Sequence, residues 1–174
     1  MSIKKLDLSG CSLNDAMVGE IVSVLQGHPM LRSLFLSENE IHTGGPRQAF
    51  AGLLSNSKSR LKELDVSAQR LSDGVSMAGF IHSLKNHRSL QTLNLSRNGI
   101  ADISDLIEII ASSNTLQDID LSYNALDDAS IASLATKIAS MKNLKRLVLE
   151  NNKFSTESSQ LLRKLSPPEL QLIL

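Results

Sequence analysis

The chain has 174 residues, its 18 basic and 18 acidic side chains cancel at neutral pH, and 41% of its residues are hydrophobic. This length fits one ordinary domain. The neutral balance argues against a nucleic-acid-binding protein, which would show an excess or a stripe of basic residues. No apolar run approaches the roughly 20 residues that a membrane-spanning helix needs, so we predict no membrane span.

Cysteine usage and the N-terminus indicate the compartment. Cys11 is the only cysteine, which rules out an internal disulfide and suits a reducing environment. No apolar signal region follows Met1, because Lys4 and Lys5 lead directly into the first predicted strand. We therefore expect a cytoplasmic protein.

An eleven-residue pattern recurs along the chain. In its clearest copy, residues 90–100, leucines occupy the first, fourth and sixth positions, asparagine the ninth and isoleucine the eleventh. The copies, spaced 26 to 30 residues apart, start near Ile3, Leu31, Leu61, Leu90, Leu116 and Leu144. Self-similarity at such a period predicts a solenoid. We therefore expect residues 1–174 to form a single domain of about six repeats.

Each repeat begins with a strand pattern, in which aliphatic residues alternate with polar ones and therefore point to one face. In the first repeat, Leu6 and Leu8 hold inward positions. An amphipathic helix is predicted after each strand. The first helix spans residues 15–26, with Asn14 as its N-cap and Gly27 at its end.

The later helices are predicted from the same signals. Helix starts are expected at residues 43–46 and 72–73, and at Asp102 or Ser104 in the fourth repeat. The last helix is expected to bury an apolar stripe. That stripe consists of Leu161, Leu162 and Leu165.

The strand segments resemble those of the leucine-rich-repeat family. The match is carried by residues 31–36, 116–121 and 144–149, each followed by the asparagine position. The long period, with a helix after every strand, is similar to the ribonuclease-inhibitor-like subclass. The resemblance covers about residues 3 to 165. It implies an α/β fold, a right-handed horseshoe segment with a parallel sheet on the concave side and helices on the convex side.

The resemblance also implies a function. Curved solenoids present extended concave surfaces, and the family similarity suggests a non-catalytic scaffold that binds a protein partner through its concave face and uses no cofactor. A fold does not by itself fix a function, so two alternatives stay open. The chain could be part of a larger regulator of the actin-regulatory, innate-immune or GTPase-activating type, or a bacterial effector with eukaryotic-like repeats.

The ninth position of the pattern has a structural explanation. An amide side chain has two donors and an acceptor, so it can bond to buried backbone groups where a strand turns toward the convex side. We call these residues the amide ladder. It consists of Asn39, Asn98, Asn124 and Asn152. Gln69 holds the same position with one more methylene, so its bonds must be rearranged, and Cys11 holds it in the first repeat.

Residues with catalytic or metal-binding chemistry are few. Among the four histidines, His28, His42, His82 and His87, no pair has metal-ligand spacing beside a cysteine or carboxylate. His28 and His87 each precede a strand by three residues and are expected in exposed turns. Cys11 is expected to be buried with the ladder and therefore unreactive. We predict no enzyme activity, no metal and no cofactor.

The outward-facing strand positions line up in columns across a parallel sheet and supply the candidate contacts. The middle of this surface is acidic, basic residues flank it, and Tyr123 should project next to Arg97. Tyrosine and arginine are enriched at binding hot spots. The predicted partner-binding residues are Phe35, Glu63, Asp65, Asn94, Arg97, Asp118, Asp120, Tyr123, Arg146 and Val148.

The two ends of the predicted solenoid lack the polar caps that repeat proteins use. Pro167 and Pro168 end the last helix, and residues 167–174 are interpreted as a partial seventh strand or a cap. Three explanations stay open. The short strand is a makeshift cap, the chain is cut from a longer array, or the terminal repeats associate with another chain.

Overall fold

The computed structural model describes residues 3–41, 47–56, 58–69, 80–85 and 87–174. The helix starts predicted at residues 43–46 and 72–73 lie outside these ranges. Within them, seven strands form one parallel sheet in which each strand lies beside its neighbour in the sequence. The strands are β1 (Lys5–Asp7), β2 (Ser33–Phe35), β3 (Glu63–Asp65), β4 (Thr92–Asn94), β5 (Asp118–Asp120), β6 (Arg146–Val148) and β7 (Gln171–Ile173).

The register of the sheet places equivalent residues of successive repeats side by side. Lys5 pairs with Ser33 and Asp7 with Phe35, and the same alignment continues across to β7. The central residues of β2 to β6 are at most 1% exposed, whereas the flanking residues of β2 to β5 are half-buried. The predicted parallel α/β stack is therefore confirmed, with one sheet face in the core and the other open.

Helices pack on the core side of the sheet. Those with described bounds are α1 (Asp15–Leu25), α2 (Arg47–Ser55), α3 (Ser104–Ser112), α4 (Asp128–Lys137) and α5 (Thr156–Leu165). Residues 80–84 are also helical, and a short 3-10 helix, Ile138–Ser140, follows α4. Helices of adjacent repeats contact one another, α1 with α2, α3 with α4 and α4 with α5.

The starts of these helices follow from short polar side chains. The Asn14 side chain accepts a hydrogen bond from the Met17 N–H, 3.1 Å away, so the predicted cap of α1 is confirmed. Asp127 caps α4 in the same way. At α3, the residue before the helix has no side-chain cap bond. Asp102 instead accepts from the N–H and hydroxyl of Ser104, which fixes the turn before the helix.

A single apolar cluster lies between the sheet and the helices and runs from Val18 to Leu170. The stripe predicted for the last helix is only partly correct. Leu162 is fully buried, but Leu161 is 44% exposed and Leu165 43% exposed. Successive helical residues are about 100° apart, so both leucines are rotated away from the sheet when Leu162 faces it.

The amide ladder is confirmed. The Asn98 Nδ2 donates to the carbonyls of Leu95, in its own repeat, and Val66, in the preceding repeat, at 3.1 and 2.9 Å. Its Oδ1 accepts from the N–H of Gln69 at 3.0 Å. Asn39, Asn124 and Asn152 repeat this arrangement. Each amide therefore joins two repeats through backbone groups that neither strand nor helix satisfies.

The two departures from asparagine behave differently. Gln69 is 5% exposed. Its Nε2 donates to the Leu36 carbonyl at 2.6 Å and its Oε1 accepts from the Ile41 N–H at 3.2 Å, both in the preceding repeat. The expected rearrangement is thus confirmed. Cys11 was expected to be buried, but it is exposed, because no described repeat precedes it to cover this position.

The residue before each ladder position has a left-handed backbone. The residues with φ between 53° and 64° at this position are Gly10, Glu38, Ala68, Arg97, Tyr123 and Asn151. This conformation aims the N–H of the residue along the stack; for example, the Arg97 N–H donates to the Ser122 carbonyl at 3.0 Å. A side chain at positive φ costs roughly 1–2 kcal/mol, so the inter-repeat bond is kept against local strain.

His87 is buried rather than exposed as predicted. It is 9% exposed, its Nδ1 accepts from the N–H groups of Ser89 and Leu90, and its Nε2 lies 3.2 Å from the Ser59 hydroxyl. An Nδ1 that accepts two bonds carries no proton, so Nε2–H is the donor to Ser59. Burial lowers the pKa of His87 from 6.5 to about 4.

Replacing Asn98 with alanine tests the ladder. The change leaves the Gln69 N–H and the Val66 carbonyl without a partner, whereas the Leu95 carbonyl keeps its hydrogen bond from the Asn124 amide. Each unsatisfied buried group costs about 1–3 kcal/mol, so we expect the free energy of unfolding in urea to fall by about 2–5 kcal/mol. Asn114→Ala, at an exposed turn position, is the control. Equal losses for both variants would contradict the structural role of the ladder.

Replacing Ala68 with glycine tests the left-handed turn. Glycine adopts positive φ without the clash of a Cβ, so we expect Ala68→Gly to raise the free energy of unfolding by about 0.5–1 kcal/mol. The same substitution at the exposed helical residue Ala132 should lower it by about 1 kcal/mol. Thermal and urea unfolding of both variants measure the difference in sign. Destabilisation at Ala68 would mean that the positive φ is not strained.

The buried histidine predicts a pH dependence of stability. The pKa of His87 is about 4 when folded and near 6.5 when unfolded, so between these values the unfolded chain binds more protons. Stability should therefore fall as pH drops from about 6.5 to about 4, by up to roughly 3 kcal/mol. In His87→Asn the loss over this window should be smaller. Parallel stability-versus-pH curves for the two proteins would contradict this assignment.

Candidate binding surface on the concave sheet face

The open side of the sheet is the predicted concave face, and we use that name for the surface formed by three columns of residues. Two columns are the first and third residues of each strand, and the third column is the left-handed residue that follows at the strand end. Except for the buried Val148, these side chains are available to each other and to solvent.

Two predicted acidic contacts also hold their own turns. One oxygen of Asp65 accepts from the N–H and hydroxyl of Ser67, at 2.9 and 2.6 Å. Asp120 makes the same two bonds with Ser122 at the same distances. The sequence signal for this contact is a serine two residues after the aspartate. One oxygen of each carboxylate is therefore committed to the fold.

The same spacing occurs in the first repeat, where it affects an acid directly. The Asp7 carboxylate accepts from Ser9, and these bonds, with a smaller contribution from the nearby Lys5 ammonium, hold the pKa of Asp7 below its usual value. Asp7 is exposed. Its lowered pKa therefore reflects the hydrogen bonds of the turn and not burial of the carboxylate.

Asn94 extends this turn network across the sheet. Its Nδ2 donates to the second oxygen of Asp65 at 3.0 Å, and its Oδ1 accepts from the Ser96 N–H at 3.0 Å. Both oxygens of Asp65 are thus hydrogen-bonded. Asp65 and Asn94 lie on the concave face as predicted, but their polar atoms are largely used by neighbouring groups.

A salt bridge joins two more predicted contacts. The Arg146 guanidinium lies 3.0 Å from the Asp118 carboxylate, and the two side chains are 38% and 37% exposed. An ion pair this open to solvent contributes about 0–1 kcal/mol to stability. Its main effect is that the charges of Asp118 and Arg146 neutralise each other on this part of the face. Among the predicted contacts, Glu63 makes no side-chain hydrogen bond or ion pair with the described residues, so it and the second oxygen of Asp120 are acidic groups left available.

Arg97 and Tyr123 form the most exposed contact on the face. The Arg97 guanidinium carbon lies 4.0 Å from the centre of the Tyr123 ring, a distance that gives a cation–π interaction. Tyr123 is 46% exposed, and Arg97 is exposed as well. Both belong to the left-handed column, so the turn geometry places them beside each other at the ends of β4 and β5.

The two apolar candidates differ. Phe35 is half-buried, and the Lys5 ammonium lies 4.5 Å from its ring centre. Val148 is only 3% exposed. In the register of the sheet it lies between Asp120 and Ile173, and the strand that carries Ile173 removes it from solvent. Val148 therefore offers almost no surface to a partner, unlike the other nine predicted residues.

The described residues offer neither a metal site nor a membrane-spanning helix. No group of three or more histidine, cysteine, aspartate or glutamate side chains in these ranges could hold a metal ion. None of the helices in this part of the chain has the length and apolar character required to cross a membrane.

Comparison with known proteins places the repeats in a family. A model described as Leucine Rich repeat matches residues 86–103 and 112–135, and a second Leucine Rich Repeat model matches residues 143–165. The segments 112–135 and 143–165 each include a strand, a ladder asparagine and most or all of the following helix, whereas the segment 86–103 includes β4 and Asn98 and ends just before α3.

Relatives and solved structures agree with this match. Ribonuclease inhibitor from Sus scrofa is 31% identical over 79% of this chain, and Tonsoku-like protein from Bos taurus is 34% identical over 72%. The chain spans only 37% and 10% of their respective lengths.

Among solved structures, a protein from Bacteroides fragilis superposes with a TM-score of 0.62 at 18% identity, over 83% of this chain and 41% of that one. Internalin C2 from Listeria monocytogenes superposes with a TM-score of 0.54 at 19% identity, over 98% and 70%. Identities this low show the fold alone. With the matched repeats and the ribonuclease inhibitor relatives, they establish that the chain belongs to the leucine-rich-repeat family, with repeats of the ribonuclease-inhibitor-like subclass.

Proposed function

We propose that the protein is a non-catalytic scaffold that binds a protein partner through its concave face. The observation that carries this proposal is the exposed Arg97–Tyr123 pair. Leucine-rich-repeat proteins generally mediate protein–protein interactions and are generally not catalysts. The name of one relative, ribonuclease inhibitor, also records an action on another protein.

The position of the pair supports its role as the centre of a contact. It lies at the ends of β4 and β5, the fourth and fifth strands of seven, so the sheet extends on both sides of it. Tyrosine offers a large amphipathic surface with little rotamer freedom to lose, and arginine is the other residue that dominates hot spots. The contact between them holds each side chain in place before a partner arrives.

The remaining contacts are proposed in a ring around this centre. Glu63 and Asp120 supply acidic groups with free acceptors, and Phe35 supplies a half-buried ring. Asp65, Asn94, Asp118 and Arg146 are held by one another or by turn residues, so we assign them mainly to shaping the surface. Val148 lies beneath it.

Removing the central pair tests the proposal. Arg97→Ala/Tyr123→Ala should lose partners captured from a native lysate, as measured by quantitative mass spectrometry against the unmodified chain. With hot-spot losses of about 2 kcal/mol or more, the affinity of a purified partner should fall at least roughly 30-fold. Asp120→Lys should also weaken binding, because it reverses the charge next to the pair.

The matched control is a second exposed pair on the helical side. Glu108 on α3 and Lys137 on α4 form a salt bridge of 3.1 Å across two repeats, as the Arg97–Tyr123 pair does. Glu108→Ala/Lys137→Ala should retain every partner. Partners lost by this variant and kept by the concave variant would assign binding to the helices and overturn the proposal. Thermal unfolding of both variants checks that the fold is intact.

A further inference from the structure

The first repeat exposes an unusual amount of apolar surface. Six large apolar or aromatic side chains in the described ranges are exposed. Tyr123 and the two leucines of α5 are described above, and the other three lie in the first repeat. They are Ile3 at 37%, Met17 at 49% and Val24 at 82%. Scattered exposed apolar residues are ordinary. Met17 and Val24, however, lie on one side of the repeat.

Comparison with α4 shows which way Met17 points. Met17 is the third residue after the N-cap Asn14 of α1, as Ser130 is the third after the N-cap Asp127 of α4. The Ser130 hydroxyl donates to the Ala101 carbonyl of the preceding repeat at 2.9 Å. The third helical position therefore faces backward along the stack, and Met17 faces away from the second repeat.

Val24 lies on the same side. It is the tenth residue after Asn14, and Lys137 is the tenth after Asp127. Lys137 reaches back to Glu108 on the preceding helix, 3.1 Å away. Val24 thus occupies the position from which an inner helix contacts its predecessor.

The strand and core of this repeat are open on the same side. Leu6 and Leu8 are only partly buried, whereas their equivalents Leu34 and Leu36 are 0% exposed. β1 is also one of the two edge strands of the described sheet. We use the name β1 end face for the surface made by the β1 edge, Leu6, Leu8, Met17 and Val24.

The sequence of β1 matches a second copy of itself. When two β1 strands pair antiparallel with Leu6 opposite Leu6, Lys5 of each copy lies opposite Asp7 of the other. Opposite charges at directly opposed positions contribute roughly 0.2–1 kcal/mol per pair. The symmetric arrangement forms two such pairs.

Stacking β1 against the β7 end of another copy fits less well. In the register that runs through the sheet, Asp7 would lie beside Ile173 and Lys5 beside Gln171, so neither charge would gain an oppositely charged partner. The helix next to β7 is also more polar. Arg163 of α5, which is exposed, holds the position of the buried Ala135 in α4. A charged side chain there would face the apolar side chains of α1.

We propose that two copies of the 174-residue chain associate through their β1 end faces about a two-fold axis. The two seven-stranded sheets join at antiparallel β1 edges, and α1 packs against α1 with Met17 and Val24 at the contact. Two-fold pairing of one surface with itself is the commonest form of oligomer. It also pairs the edge of β1 that faces away from β2.

Sedimentation equilibrium over a concentration series tests the proposal. The unmodified chain should form dimers with a dissociation constant of about 1–100 μM. Asp7→Lys places two lysines opposite each other in each pair and should raise this constant at least roughly tenfold. The exchange Lys5→Asp/Asp7→Lys restores opposite charges and should return it to within about threefold of the unmodified value.

Two further variants locate the contact. Val24→Lys should weaken the dimer, whereas Leu161→Lys, at an exposed leucine of α5, should leave it unchanged. The Arg97→Ala/Tyr123→Ala variant should still dimerise, so the result is independent of partner binding at the concave face. A monomer up to about 0.5 mM, an exchange variant as weak as Asp7→Lys, or dissociation by Leu161→Lys would each overturn the proposal.

Discussion

At the end of every inner strand except β3, an asparagine side chain bonds to the backbone of two repeats at once. At this point the chain leaves the sheet and has not yet entered the helix, so its N–H and C=O groups lack regular partners. Asn98 supplies two donors and an acceptor to three such groups. Apolar burial holds sheet and helices together but is not directional; these bonds fix how one repeat is placed on the next.

The concave face follows from the same turns. The residue before each amide takes a left-handed backbone so that its N–H reaches the next repeat, and its side chain then projects at the edge of the sheet. Arg97 and Tyr123 occupy this position in consecutive repeats, which brings the guanidinium over the ring at 4.0 Å. The backbone of the turns thus fixes where the most exposed contact on the face lies. It does not determine that arginine and tyrosine occupy the two positions.

The sequence predicts the repeated parts well because period, strand alternation and amide position all specify one stack. Apart from the two exposed leucines of α5, its errors occur where a residue depends on a neighbouring repeat. Val148 is covered by the strand that carries Ile173, Cys11 is exposed because no described repeat precedes it, and His87 is buried against Ser59. Side-chain pairs such as Asp118 with Arg146 follow from register and rotamer together, and the repeat pattern gives only the register.

Much of the polar surface on the concave face is already hydrogen-bonded, and this affects what binding would require. A polar group that is covered without a partner costs free energy, whereas one that keeps its bonds does not. Asp65 has both oxygens bonded, and Asp118 is paired with Arg146. A protein that covers these groups would therefore not have to satisfy them. Its own polar groups would need to match mainly free acceptors, such as those of Glu63 and Asp120, around an aromatic centre. The turns that stabilise the solenoid would thereby lower the desolvation penalty of its proposed contact surface.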